Sequence, residues 1–292
     1  MEINRRVMVT LNIQMDLNSF SKSLWAIFSK WRYMNPSDCS EVDETSQCFL
    51  QMMIVKTRTL EQMLLGVPMY LDKPQLGNIL DVSSMTSIVR SLYETTFIYH
   101  SIFVNTSTAE ERDILLCLWK IRGLNNIRHF PIPEELKDII KPKDKVEIKK
   151  YSNQIFELLK ELHISASAKK ELIEKVNHKG NSIKGYRFNK DSDGTIIEIE
   201  ECGFSDTSFL FGHNNYNEWY TFLSSHSHPS YYGLMEFANM YQNGHDKEIT
   251  TGLIMMACSI LSRFINDICD VITDGDIIRA KVFPNISAID FL

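Results

Sequence analysis

Apolar positions recur every three or four residues along most of this chain, the spacing of an amphipathic helix. The pattern predicts helices around Leu17 to Trp31 and Ser46 to Leu65, separated by the breakers Asn35-Pro36-Ser37-Asp38. A loop containing Gly66, Pro68, Pro74 and Gly77 follows. The clearest helix runs from about Ser83 to Phe103, where Met85, Ile88, Val89, Leu92, Thr96, Tyr99 and Phe103 form one stripe. Ser107-Thr-Ala-Glu110 has the form of a capping box and predicts a further helix to near Arg128. Pro131, Pro133 and Lys141-Pro-Lys-Asp-Lys145 read as a connector to two charged amphipathic helices, Val146 to Leu162 and Ala166 to Val176. The period then changes to two. Tyr186-Arg187-Phe188, the turn Asp191-Ser-Asp-Gly194 and the alternation Thr195 to Ile199 predict a β-hairpin. Helices resume over about Asn217 to His226 and Ile249 to Ile272, the second apolar on nearly all sides and the predicted central helix. The fold class expected is mainly α, a helical bundle with a small inserted β-hairpin. Its parts are residues 1–140, a peripheral charged helical hairpin at 141–178, the β-hairpin at 179–204, and 205–292 completing the bundle.

Composition agrees with a folded protein: of 292 residues, 44% are hydrophobic and 23% charged, with a net charge of -6. Asn12, Gln14, Asp16, Asn18 and Lys22 interrupt every apolar run near the start, so no secretory signal is expected. The best membrane-spanning candidate, Gly252 to Ile272, meets Arg263, Asp267 and Asp270 and reads as a buried helix, so no membrane partner is expected. Six widely spaced cysteines without a Cys-x-x-Cys pair are expected to be reduced thiols of a cytoplasmic protein. Charge is uneven, because Lys120 to Lys190 holds 17 Lys+Arg against 9 Asp+Glu. That surplus admits nucleic acid as a partner, although the cations interleave with acids as on a solvated helix face.

Few residues carry candidate chemistry. Asn189 to Glu200 fits most of a calcium-loop template, yet alternating β-branched residues fill its second half, and a hairpin with an Asp-rich turn explains the same string. His213, His226, His228 and His245 fall close together, but their spacing matches no standard metal pattern. Neither a metal nor a cofactor is called for, since the chain shows no phosphate loop, nucleophile elbow or metal pair. More informative are two four-residue spacings on separate helices. Arg90 and Glu94 stand one turn apart in an apolar setting, and Tyr220, Ser224 and His228 repeat along one stripe. If the stripes face each other, an acid, a guanidinium, a phenol, a hydroxyl and an imidazole share one interior pocket.

Arg90-Ser-Leu-Tyr-Glu94, preceded by Ser83-Ser84 and Ser87, together with Tyr220-Thr-Phe-Leu-Ser224-Ser-His-Ser-His228-Pro, resembles an uncharacterised bacterial all-helical family of unknown function. The resemblance covers about residues 50 to 270 and implies a bundle in which these five residues lie together, without an agreed activity. The charged stretch at 141–178 and the hairpin at 186–199 depart from that pattern. A weaker likeness to helical RNase toxins would need an Arg-x-x-x-x-His string, and Arg122-Gly-Leu-Asn-Asn-Ile-Arg128-His129 has the wrong spacing. The leading expectation is an intracellular module whose pocket recognises a small polar ligand or a protein partner, in a bacterial stress or phage-defence setting. Here Arg90, Tyr220 and Ser224 are the ligand-binding residues. The alternative is an RNA- or nucleotide-cleaving enzyme with His228 as general acid or base, Glu94 orienting or accepting a proton and Arg90 stabilising phosphate charge. In a third reading the five residues are a core network that satisfies a buried ion pair.

Overall fold

The computed structural model describes residues 17–31, 40–68, 78–127, 133–177, 184–212, 217–228, 230–272 and 275–282. The breaker at 35–38, the loop at 69–77, Arg128-His129 and His213 lie outside them. The chain is mainly α and divides into two compact units, residues 1–99 with 205–292, and residues 100–204.

The first unit begins with α1 (residues 17–31) and α2 (Glu41–Met63). α2 starts five residues earlier than its apolar period suggests, because Ser40 and Asp43 close a reciprocal capping box ahead of it. Two short strands, β1 (Val67–Pro68) and β2 (Asn78–Ile79), pair antiparallel before α3 (Val82–Tyr99). After the excursion through the other unit come α7 (Ser208–Phe211), α8 (Asn217–Ser227), α9 (Tyr231–Asn243), α10 (Asp246–Val271) and α11 (Gly275–Val282). α3 packs against α2, α8 and α10 and is the hub of this unit.

That role had been expected of α10, but α10 leaves a wet side at Met255 and Asn266, whereas α3 buries Met85, Val89, Leu92, Tyr93 and Phe97 completely. α10 is the one described helix long and apolar enough to cross a membrane, and most of its apolar window is buried within the fold. It also holds an ion pair, Arg263 Nε to Asp267 Oδ1 at 3.0 Å, with the Asp267 side chain only 1% exposed. Tyr99 ends α3 with its ring edge-on to Phe264 and its hydroxyl 2.9 Å from Ser46 Oγ.

The second unit opens with a π-helical turn, His100–Val104, then α4 (Ala109–Ile127), α5 (Glu134–Glu161), α6 (Ala166–Asn177), β3 (Gly185–Lys190) and β4 (Ile196–Cys202). The cap of α4 falls one residue later than the Ser107/Glu110 box: Thr108 Oγ1 accepts from Glu111 N–H and Glu111 accepts from Ser107 N–H. α5 runs through the expected connector, with Pro142 inside its range. The two helices expected to pair as a charged hairpin have other partners, α5 lying along α4 and α6 against β4. β3 and β4 form the expected antiparallel hairpin, with a bulge at Asn189/Lys190. Ser101 clamps β3 to the π-helical turn, accepting from Tyr186 N–H at 2.8 Å and donating to its carbonyl at 3.2 Å.

Replacing Phe264 by Ala removes a fully buried ring, so chemical denaturation is expected to show a loss of about 3–5 kcal/mol. A loss below about 1 kcal/mol would mean that Tyr99 and Phe264 are not packed as described.

Candidate functional site

Four of the five residues singled out by spacing meet in the first unit. α3 presents Arg90 and Glu94 one turn apart, and the Arg90 Nε donates to Glu94 Oε1 at 2.8 Å. α8 packs against the same side of the bundle and brings Tyr220, whose hydroxyl accepts from Arg90 Nη2 at 3.2 Å and donates to Glu94 Oε1 at 3.2 Å. At the end of α8, His228 Nε2 lies 2.8 Å from Arg90 Nη1. A guanidinium has donors only, so Nε2 must accept and the neutral ring carries its proton on Nδ1. The Arg90 guanidinium also sits 5.4 Å from the Tyr220 ring centre, and that ring packs on Tyr93 at 5.6 Å. Ser224, the fifth residue, is half-buried between Tyr220 and His228 along α8, and its hydroxyl makes no hydrogen bond among the described residues.

The cluster is covered but not sealed. Side-chain exposure is 21% for Arg90 and 31% for Glu94, and His228 is exposed. Burial opposes charge on Arg90, yet hydrogen bonding and attraction to Glu94, helped by Tyr220, hold its pKa above the ordinary value. Burial and the Glu94 charge push the Tyr220 hydroxyl up. One further charge was not anticipated from sequence. Lys56 of α2 reaches α3 beside the cluster, donating to Thr95 Oγ1 at 2.6 Å and to the Ser91 carbonyl at 3.2 Å. Burial lowers its pKa against the opposing pull of Glu94. Its only signal was a lysine inside the apolar run Met52-Met-Ile-Val-Lys56.

His228 also borders a cavity of about 300 Å³ that lies wholly within this unit. Val82 at the start of α3, Leu234, Phe237 and Met240 of α9, and Ile249 of α10 supply apolar walls. α9 is held tightly over the end of α8. A Cβ on Gly233 would stand 2.9 Å from the Ser225 carbonyl oxygen, so only glycine allows this approach. The far end of α9 is fixed by the Tyr241 hydroxyl, which donates to the Leu80 carbonyl. α9 itself was not foreseen, and with it Gly233 and the cavity; Glu236 was read only as a candidate metal ligand beside His226 and His228.

The remaining candidate motifs have local partners. In the 189–200 string, Asp191 Oδ1 accepts the N–H groups of Asp193 and Thr195 in an Asx-stabilised hairpin turn, and Asn189 Nδ2 donates across the strands to Glu198 and Glu200. His226 donates from Nδ1 to the Phe222 carbonyl at 2.9 Å, and no group of three potential metal ligands occurs among the described residues. Several cations of the basic stretch face acids within the second unit: Lys175 and Lys184 meet Glu201, Lys190 meets Glu111, and Arg187 meets Glu200. Arg122 donates instead to the Lys175 carbonyl. Comparison with known proteins found no matching family model, no matching curated protein and no matching solved structure.

Because burial and Glu94 both oppose Tyr220 ionisation, ultraviolet titration should show this phenol ionising above the ordinary value of about 10, and Glu94→Gln should bring it down. The raised pKa in the folded state makes this hydroxyl's contribution to stability complete below that range and lost as pH rises through it. An unshifted phenol, or one indifferent to Glu94→Gln, would contradict the hydrogen bond between them.

Proposed function

We propose that this protein is a helical ligand-recognition module whose site is the polar cluster Arg90, Glu94, Tyr220, Ser224 and His228 with the cavity beside it. The observation that carries the reading is the position of His228. Its ring is held by Arg90 on one side, borders the cavity on the other and is exposed. A network serving only to neutralise a buried ion pair would be covered, and it would not leave the Ser224 hydroxyl without a hydrogen bond among the described residues. The cluster is pre-organised, since Arg90, Glu94 and Tyr220 fix one another's geometry before any ligand arrives. Ligand and site then meet across one hydroxyl, one imidazole N–H and an apolar recess, which suits a small molecule with a polar end.

Holding a ligand has more support here than cleaving RNA or a nucleotide. With Nε2 accepting from Arg90, the neutral His228 ring offers a donor where a general base needs a lone pair. Arg90 is already matched by Glu94, so little of its charge is left to stabilise a phosphate. The cytoplasmic setting and the bacterial stress or phage-defence role expected from sequence belong to this same proposal.

Thermal denaturation with small amines, carboxylates, alcohols and nucleosides tests the reading. At a hundredfold excess over Kd, at least one compound should raise the wild-type melting temperature by about 5 °C. His228→Ala should abolish that rise while its own unliganded stability falls by less than about 1 kcal/mol, as expected of an exposed side chain. The proposal fails if no compound stabilises the wild type, or if His228→Ala unfolds the protein by itself.

A further inference from the structure

The hydrogen-bonding inventory of the cavity wall points to the class of ligand, an inference that rests on the recognition site proposed above. The hydroxyl protons that line the cavity are already committed to main-chain carbonyls. Ser83 Oγ donates to His226 O at 3.3 Å, Thr86 Oγ1 to Val82 O at 2.8 Å, and Ser227 Oγ to Leu223 O at 2.6 Å. Each of these oxygens keeps lone pairs and has lost its freedom to donate. His226 uses its Nδ1 proton on the Phe222 carbonyl, so its neutral ring leaves Nε2 as an acceptor. His228, whose Nε2 takes the Arg90 N–H, offers the single uncommitted side-chain proton among the described lining residues.

Charge sharpens this picture. Glu236 of α9 is the only lining residue with a full charge among those described, it is half-buried, and its carboxylate has no hydrogen bond or ion pair among them. No lysine or arginine lines the cavity, and the nearest guanidinium, Arg90, is matched by Glu94. Glu236 stands without a counter-ion among the described residues beside Leu234, Phe237 and Met240, and a ligand cation would supply one. The Phe237 ring can add a cation–π contact to the same charge.

We infer that the cavity between α3, the end of α8, α9 and the start of α10 takes a small organic cation, a protonated amine on a compact apolar body, with Glu236 as its counter-ion. The ammonium carries the donors that Glu236, His226 Nε2 and the lining hydroxyl oxygens lack, and the apolar body fills the recess under α9. A carboxylate ligand would meet the Glu236 charge with no cation in the wall to offset it. A neutral alcohol would fit the recess and leave the Glu236 charge without a counter-ion.

Titration calorimetry with n-hexylammonium, n-hexanol and n-hexanoate, on wild type and on Glu236→Gln, tests the assignment. The ammonium is expected to bind about tenfold tighter than the alcohol, and the carboxylate more weakly than either. Glu236→Gln should bring the ammonium to within about twofold of the alcohol while leaving the alcohol unchanged. Tightest binding by hexanoate, or an ammonium preference that survives Glu236→Gln, overturns the cation assignment while the recognition site itself stands. No binding by any of the three overturns the assignment as well. In that case the thermal panel decides separately whether the site recognises something else.

Discussion

A guanidinium can donate hydrogen bonds but never accept them, and this single restriction orders the site around Arg90. Every neighbour must present a lone pair to it: Glu94 Oε1 to Nε, His228 Nε2 to Nη1, and Tyr220 Oη to Nη2. Once Tyr220 accepts from Arg90, its own proton is directed to Glu94, closing a ring of hydrogen bonds between α3 and α8. The His228 ring is fixed in the same way, with its proton on the nitrogen that Arg90 does not use. The apolar packing of Tyr220 on Tyr93 keeps the phenol at the distance this ring of bonds needs.

The consequences reach the cavity. α8 must end where His228 can meet Arg90, and Ser230 then caps α9 by accepting from Gly233 N–H while donating to the Ser225 carbonyl. Gly233 lets α9 lie close enough to roof the recess. Polar order in the cluster and apolar enclosure in the cavity are therefore two results of one helix ending, and His228 belongs to both.

The parts legible in the sequence were those with a strong period. α3 was visible from its apolar stripe, and the four-residue spacings of Arg90 with Glu94, and of Tyr220 with Ser224 and His228, named the cluster before any contact was known. The β-hairpin was visible from its change of period and its Asp-Gly turn. α9 was not, because Tyr231, Tyr232, Leu234, Met235 and Phe237 give no apolar-to-polar contrast and are exposed in the fold. Gly233 was hidden with it, since its role has no meaning until α9 is laid over α8, and the place of Glu236 in a cavity wall was hidden for the same reason. Lys56 and the run of α5 through Pro142 were missed for a related reason. Local pattern reads a lysine as surface and a proline as a breaker, whereas Lys56 takes its place from contacts with α3 and α5 continues past Pro142.

Across the cluster and the cavity wall, proton positions decide which groups remain free to donate or accept. They follow from the Arg90 donors and from the helix carbonyls that take the side-chain protons of α3 and α8. The most direct test is therefore the tautomer of His228 in the neutral ring, read by nitrogen-15 NMR from the couplings of Nδ1 and Nε2. The Arg90 hydrogen bond predicts a proton on Nδ1 and an unprotonated Nε2, changing toward the usual mixture of tautomers in Arg90→Ala. A proton on Nε2 in the wild-type protein would contradict it, because Arg90 and His228 would then both be donors and the network could not exist as described.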